Sequence, residues 1–134
     1  MAKLEIIEGI GGVYADKLRA AGIGSVEALL EKGCTPKGRQ EIEEATGIGH
    51  ALILEWVNLA DLMRIKGVGE EYSDLLEEAG VDTVKELRNR VPANLHQKML
   101  EVNKAKRLVR RPPALSQVES WVKQAKSLPP KVVY

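Results

Sequence analysis

The sequence predicts an all-α protein made of two tandem copies of one small unit. The first observation is a duplication: LEIIEGIG, which begins at Leu4, returns fifty-eight residues later as LMRIKGVG, which begins at Leu62. The similarity continues from YADKLRAAGIGSVEALL to YSDLLEEAGVDTVKELR, so it covers a folding unit and not only a short motif. The second observation is that apolar residues recur at helical spacing, whereas no stretch alternates as a strand would.

The duplication also sets the predicted domain boundaries. We expect a first domain over residues 1–61, a second over residues 62–128 and a tail over residues 129–134. A chain of 134 residues suits two small domains. Because the sequence has two Trp, three Tyr and no Phe, the cores should be mostly aliphatic.

Capping residues predict where several helices begin. Thr35 is followed by Pro36, which combines a capping residue with a proline at the first helical position. Thr83 and Glu86 have the spacing of a capping box, and so do Ser116 and Glu119. We therefore expect helices to start at these places.

Trp56 and Trp121 occupy matching places in the two copies, each on an apolar helix face. Core packing is the expected role of both side chains, in preference to stacking on nucleic-acid bases.

A glycine pattern recurs at the places where two helices would meet. Turn 1 (residues 9–11), turn 2 (residues 47–49) and turn 3 (residues 67–69) each read glycine, apolar residue, glycine, after apolar residues at fixed spacing. Residues 104–106 (Lys-Ala-Lys) lie in the same register without glycines, so we expect a degenerate turn 4 there. Glycine permits a tight turn and a close approach of the backbone to a ligand.

This pattern resembles the helix-hairpin-helix motif. Two such motifs joined by a helix resemble the helix-hairpin-helix pair domain of DNA-repair and recombination proteins, and the likeness covers almost the whole chain. The stretches TPKGRQEIEEATGI, EWVNLADLMRIKGVG and EVNKAKRLVRR are also similar to the domain of unknown function family 4332. The first resemblance implies two tandem helix-hairpin-helix pair domains, and the second brings no established activity.

Hairpins of this kind can bind phosphate without reading bases. The backbone N–H groups at the start of the second helix point outward, and the helix dipole adds positive potential. On this basis the candidate nucleic-acid-binding residues of turns 1 and 2 are Gly9, Gly11, Gly12, Lys17, Gly47, Gly49 and His50. The glycines could equally serve only the fold. Turn 3 is followed by Glu70 and Glu71, which would repel a phosphate, so we expect it to be structural or to contact protein.

Charge is segregated along the chain, although the net charge is only +1. Residues 1–91 carry eleven Lys/Arg and seventeen Asp/Glu, which gives −6, whereas residues 92–134 carry nine and two, which gives +7. A basic cluster completes the candidate site: Lys104, Lys106, Arg107, Arg110 and Arg111. On a continuing helix Arg107 and Arg111 would share a face. The cluster suits a phosphate backbone, a solvated helix end or a partner for the acidic helix over residues 70–78.

Other features restrict the function classes. Two histidines and one cysteine, Cys34, do not predict a metal site, and no nucleotide-binding or catalytic motif occurs, so we expect no metal, no cofactor and no enzymatic activity. No apolar run is long enough to span a membrane, and the first residues lack the hydrophobic stretch of a signal peptide, so we expect a cytoplasmic protein.

Two hypotheses remain. The first is a sequence-independent module that binds duplex nucleic acid through hairpin amides and the basic cluster. The second is a protein–protein interaction adaptor that uses the same fold structurally. The acidic first 91 residues and the acids after turn 3 favour the adaptor.

Overall fold

The computed structural model describes residues 2–134, and within them the regular structure is entirely helical. The chain forms two compact units. Unit 1 comprises the residues up to Asp61 together with Lys131–Tyr134, and unit 2 comprises Leu62–Pro130. Residues 129–134, predicted to be a tail, therefore divide between the units, and the last four belong to unit 1.

Unit 1 begins with a short 3₁₀ helix, Leu4–Ile6, and continues with four α-helices. These are α1 (Gly12–Ala20), α2 (Val26–Gly33), α3 (Pro36–Thr46) and α4 (His50–Leu62). α3 packs on both α1 and α2. α4 ends at Leu62, the first residue of unit 2.

The helix starts in unit 1 follow the capping signals of the sequence. The Thr35 hydroxyl accepts the N–H of Gly38 at 3.1 Å, and Pro36 is the first residue of α3, as predicted. Ser25 caps α2 in the same way through the N–H of Ala28. Each cap satisfies one N–H group that the helix itself leaves without a partner.

Unit 2 contains four α-helices: α5 (Glu70–Glu78), α6 (Val84–Leu87), α7 (Pro92–Lys106) and α8 (Leu115–Ser127). α7 packs on α5 and α8, and α8 also contacts α6. Thr83 caps α6 by accepting the N–H of Glu86, and the Glu86 carboxylate accepts the N–H of Asp82. The predicted start at Thr83 is therefore confirmed.

The predicted capping box at Ser116 and Glu119 is wrong. α8 begins at Leu115, so Ser116 already lies inside the first turn. The side-chain oxygen of Gln117 accepts the N–H of Ala114 at 2.8 Å and occupies the place expected for Glu119. The capping residue stands directly before the helix and has an extended backbone. In α8 this residue is Ala114, not Ser116.

Each unit has an aliphatic core around one tryptophan, as expected. Trp56 is 0% exposed and Trp121 is 2% exposed. Tyr14 contacts Trp56 with ring centroids 5.0 Å apart, and Tyr72 contacts Trp121 at 5.1 Å. The core of unit 2 is formed by residues from all four of its helices, among them Leu75, Leu76, Val84, Leu95, Met99, Val118 and Val122.

The predicted register of turn 4 is also wrong. Lys104 and Lys106 lie within the last turn of α7, and the helix ends only at Arg107, which has φ +52°. In unit 1 the corresponding left-handed residue is Gly47, with φ +74°, after α3. The turn in unit 2 thus begins at Arg107, three residues after Lys104, because α7 continues through Lys106.

None of the helices formed by residues 2–134 combines the length and the apolar character needed to cross a membrane.

Candidate functional site

The first glycine of turns 1 and 3 is required by the fold. Gly9 has φ +94° and Gly67 has φ +98°, a region that side chains other than glycine rarely adopt. A Cβ on Gly9 would lie 3.1 Å from Nε1 of Trp56, and a Cβ on Gly67 would lie 3.1 Å from Nε1 of Trp121. These two glycines therefore allow each turn to lie against the tryptophan of its own unit.

Other glycines of the candidate site meet no such requirement. Gly11 has φ −87°, and neither Gly12 nor Gly49 has a positive φ. A Cβ added at any of these three positions would have no heavy atom within 4 Å. Gly47 is different, since its positive φ ends α3. Among the predicted phosphate-binding glycines, Gly9 and Gly47 are therefore required by the fold, whereas Gly11, Gly12 and Gly49 are not.

The open glycines lie at helix starts that have no side-chain cap. Gly11 is the N-cap residue of α1 and, having no side chain, gives this helix no side-chain cap. Gly69 precedes α5 in the same way. The first turn of α1 contains no acid, whereas that of α5 contains Glu70 and Glu71. Of these two helix starts, that of α1 has no side-chain cap and no acid in its first turn, whereas that of α5 has two acids.

The other predicted residues of unit 1 are exposed. Lys17 is exposed in the last turn of α1, and His50 is exposed as the first residue of α4. Arg19, also on α1, differs because its guanidinium binds Glu5 at 2.7 Å and Asp16 at 3.5 Å. The hydrogen bond from Arg19 lowers the pKa of Glu5.

In unit 2 the three arginines of the basic cluster lie outside any helix. We call residues 107–114, which connect α7 to α8, the basic loop. Arg107, Arg110 and Arg111 are exposed on this loop. The expectation that Arg107 and Arg111 share a helix face is therefore wrong, because Arg107 adopts a left-handed conformation.

Three side chains that the sequence analysis did not single out hold the basic loop in place. Asn103 donates to the carbonyl of Val109 at 3.2 Å and accepts the N–H of the same residue at 2.9 Å. Tyr72 donates its hydroxyl to the carbonyl of Arg111 at 2.9 Å. A ring nitrogen of His96 lies 2.8 Å from the carbonyl oxygen of Pro113.

One sequence signal could have identified Asn103. It follows Met99 by four residues, so it occupies the buried face of α7, where a polar side chain needs a partner.

A cavity of about 480 Å³ lies beside the basic loop in unit 2. Its lining is mainly polar and includes two arginines, one acid and the asparagine that anchors the loop. The lining residues are Glu71, Asn103, Arg107, Leu108, Val109 and Arg110. The two guanidinium groups can attract an anion, whereas the carboxylate of Glu71 opposes one.

Lys106 and Lys104, the two lysines of the basic cluster, differ from each other, since only Lys106 forms an ion pair within the described residues. Lys106 forms an ion pair with Glu78 of α5, and this hydrogen bond raises the pKa of Lys106. Asp74 and Glu77 lie close to Glu78 and add to the negative charge. Lys104 is exposed. Within the described residues, four cations of this region form no ion pair: Lys104, Arg107, Arg110 and Arg111.

The comparison with known families is decisive for membership. The sequence profile described as domain of unknown function (DUF4332) matches residues 8–128, which is most of the chain. The chain belongs to this family. The match includes turns 1 to 3 and the basic loop. No curated protein and no solved structure matches the chain.

Proposed function

We propose that this DUF4332 protein binds the phosphate backbone of duplex nucleic acid, without reading base sequence and without catalysing a reaction. The observation that carries this proposal is the start of α1. Gly11 and Gly12 are not required by the backbone conformation, their surroundings are open, and no side chain caps the helix. Ser25 and Thr35, by contrast, cap the neighbouring helices.

An uncapped helix start is suited to a phosphate oxygen. The N–H groups of the first turn have no intrahelical acceptor, and the helix dipole places positive potential there. A glycine at the cap leaves room for the phosphate to approach the backbone. On this interpretation turns 1 and 2 with their flanking helices are helix-hairpin-helix motifs, and Lys17 and His50 supply nearby polar side chains.

The basic loop supports the same proposal from unit 2. Its three arginines and Lys104 are exposed and form no ion pair within the described residues. Cations of this kind bind phosphates and release counterions, which gives affinity independent of base sequence. Turn 3 has no part in this binding, because Glu70 and Glu71 stand in the first turn of α5.

A protein partner is the second candidate. The observation that favours it is the pairing of Lys106 with Glu78, together with Glu71 in the cavity beside the arginines. Mixed charges of this kind suit a polar protein surface better than a uniformly negative nucleic-acid backbone.

Gly11→Ser separates the function of turn 1 from its stability. Serine is a favoured capping residue, so folding stability should stay within about 0.5 kcal/mol or rise slightly. The serine hydroxyl would then compete with phosphate for the same N–H groups. We expect affinity for duplex DNA, measured by fluorescence anisotropy, to fall about three- to tenfold.

Gly24→Ser is the matched control, since a Cβ there also has open space but the helix after it is already capped by Ser25. Unchanged affinity in Gly11→Ser would contradict the role of turn 1. If the unmodified protein and both variants all fail to bind DNA, the result favours a protein partner.

A further inference from the structure

Residues 131–134 (Lys-Val-Val-Tyr) belong to unit 1, lie outside its helices and are hydrogen-bonded to its helical part. The N–H of Val133 donates to the carbonyl of Cys34 at 2.8 Å, in the loop between α2 and α3. The carbonyl of Val133 accepts from a terminal nitrogen of Arg39 at 2.7 Å. Both backbone groups of one residue are therefore bound by unit 1.

Side chains at either end of the segment make further contacts. Lys131 binds the carboxylate of Glu31 at 2.8 Å, and this hydrogen bond lowers the pKa of Glu31. The hydroxyl of Tyr134 lies 3.5 Å from the side-chain oxygen of Asn58. Val133 is nevertheless 59% exposed and Tyr134 67% exposed. Polar contacts of the Val133 backbone and of the Lys131 side chain therefore contribute to holding the segment, while Val133 and Tyr134 bury little apolar surface.

Arg39 is an unusual residue for the place that it occupies. It is only 2% exposed, its other terminal nitrogen donates to the carbonyl of Gly33 at 2.8 Å, and its Nε has no hydrogen-bond partner within the described residues. Taking a guanidinium out of water is costly unless its hydrogen bonds are made.

Unit 2 shows that the fold does not need an arginine there. Arg39 is the fourth residue of α3, counted from Pro36. The fourth residue of α7, counted from Pro92, is Leu95, which is fully buried in the core. An apolar side chain thus suffices at this position. The buried guanidinium of unit 1 has a different use, and its contact with the carbonyl of Val133 indicates what that use is.

We propose that unit 1 contains a peptide-recognition site formed by Arg39, Glu31 and the carbonyl of Cys34. The site binds a peptide segment in which one residue pairs its backbone N–H with Cys34 and its carbonyl with Arg39, while a lysine two residues earlier pairs with Glu31. The chain's own residues 131–134 occupy this site and act as a releasable strap. The proposal is independent of nucleic-acid binding. It gives a role to the buried Arg39 side chain, which is part of neither turn 1 nor the basic loop.

The first test measures the strap in the full chain. Amide hydrogen exchange at Val133, followed by NMR, should be slowed relative to an unstructured peptide. Arg39→Leu should raise this exchange rate roughly ten- to a hundredfold, because a charge-assisted hydrogen bond is lost. Lys37→Leu, at an exposed position on the same helix, should leave the rate unchanged. Exchange of Val133 at the unstructured rate in the unmodified protein would overturn the proposal.

The second test supplies the segment from outside. Val133→Pro in the full chain removes the N–H that binds Cys34 and should free the site. A fluorescein-labelled peptide of residues 127–134 should then bind this variant at least about tenfold more tightly than it binds the unmodified chain, whose own segment competes. Adding Arg39→Leu to Val133→Pro should abolish the binding. Failure of the folded Val133→Pro variant to bind the peptide, or equal binding after Arg39→Leu, would refute the site.

Discussion

At the scale of single residues, the glycines of the turns have two different roles. Gly9 and Gly67 have positive φ and lie against the indole nitrogen of a buried tryptophan. Gly11 and Gly12 meet neither condition. The glycine pattern alone could predict the turns but not this division, because it depends on where Trp56 and Trp121 pack within each unit.

We predict that Gly9→Ala destabilises unit 1 by about 1–3 kcal/mol. The alanine would have to adopt a left-handed conformation, and its Cβ would press on Nε1 of Trp56 at 3.1 Å. Urea unfolding followed by tryptophan fluorescence checks the value. Gly12→Ala, in open space at the start of α1, is the matched control, and equal stability of the two variants would contradict this account.

Trp121→Ala should destabilise unit 2 by roughly 3–5 kcal/mol, since the side chain is 2% exposed and central to the core. A calorimetric melting curve measures the effect. Glu119→Ala, at an exposed position on the same helix, should melt like the unmodified protein. An unchanged melting temperature for Trp121→Ala would show that the indole does not support the core.

At the scale of elements, the helices followed their local signals where those signals were unambiguous. Thr35 with Pro36 and Thr83 with Glu86 predicted helix starts correctly. The end of α7 could not be predicted in the same way, because a non-glycine residue, Arg107, takes the left-handed position. The hydrogen bonds that hold the basic loop join residues distant in sequence, so no local pattern indicated them.

Asn103→Ala tests whether the position of the basic loop matters. The substitution leaves the buried N–H and carbonyl of Val109 without the partners that Asn103 provides, so unit 2 should lose about 2–4 kcal/mol of stability. Affinity for duplex DNA should also fall, although no charge is removed. Thermal melting and anisotropy at a temperature where the variant is folded measure both effects. Gln97→Ala, exposed on the same helix, should change neither. Full affinity in folded Asn103→Ala would show that the loop needs no anchoring.

At the scale of the whole molecule, family membership and the all-helical architecture are established, whereas the activity is a proposal. Charge segregation along the chain placed a basic cluster in its last third, and three interpretations stayed open: contact with a phosphate backbone, a solvated helix end, and pairing with the acidic helix over residues 70–78. The structure adds that Lys106 is paired with Glu78, while Lys104 and the three arginines form no ion pair within the described residues. Which lysine is paired depends on how α5 and α7 pack, and this could not be derived from the order of charges in the sequence.

The most direct test of the proposed function is a salt titration of DNA binding. Four unpaired cations imply a slope of log Kd against log salt of roughly 3 to 4 in magnitude, equal for unrelated duplex sequences. Replacing Arg107, Arg110 and Arg111 together with alanine should reduce this slope by about 2 to 3, since each lost phosphate contact removes about one unit. Lys106→Ala, which removes a cation already paired with Glu78, should leave the slope nearly unchanged. A slope unaffected by the triple substitution, or no binding at about 50 mM salt and micromolar protein, would contradict backbone binding by this protein.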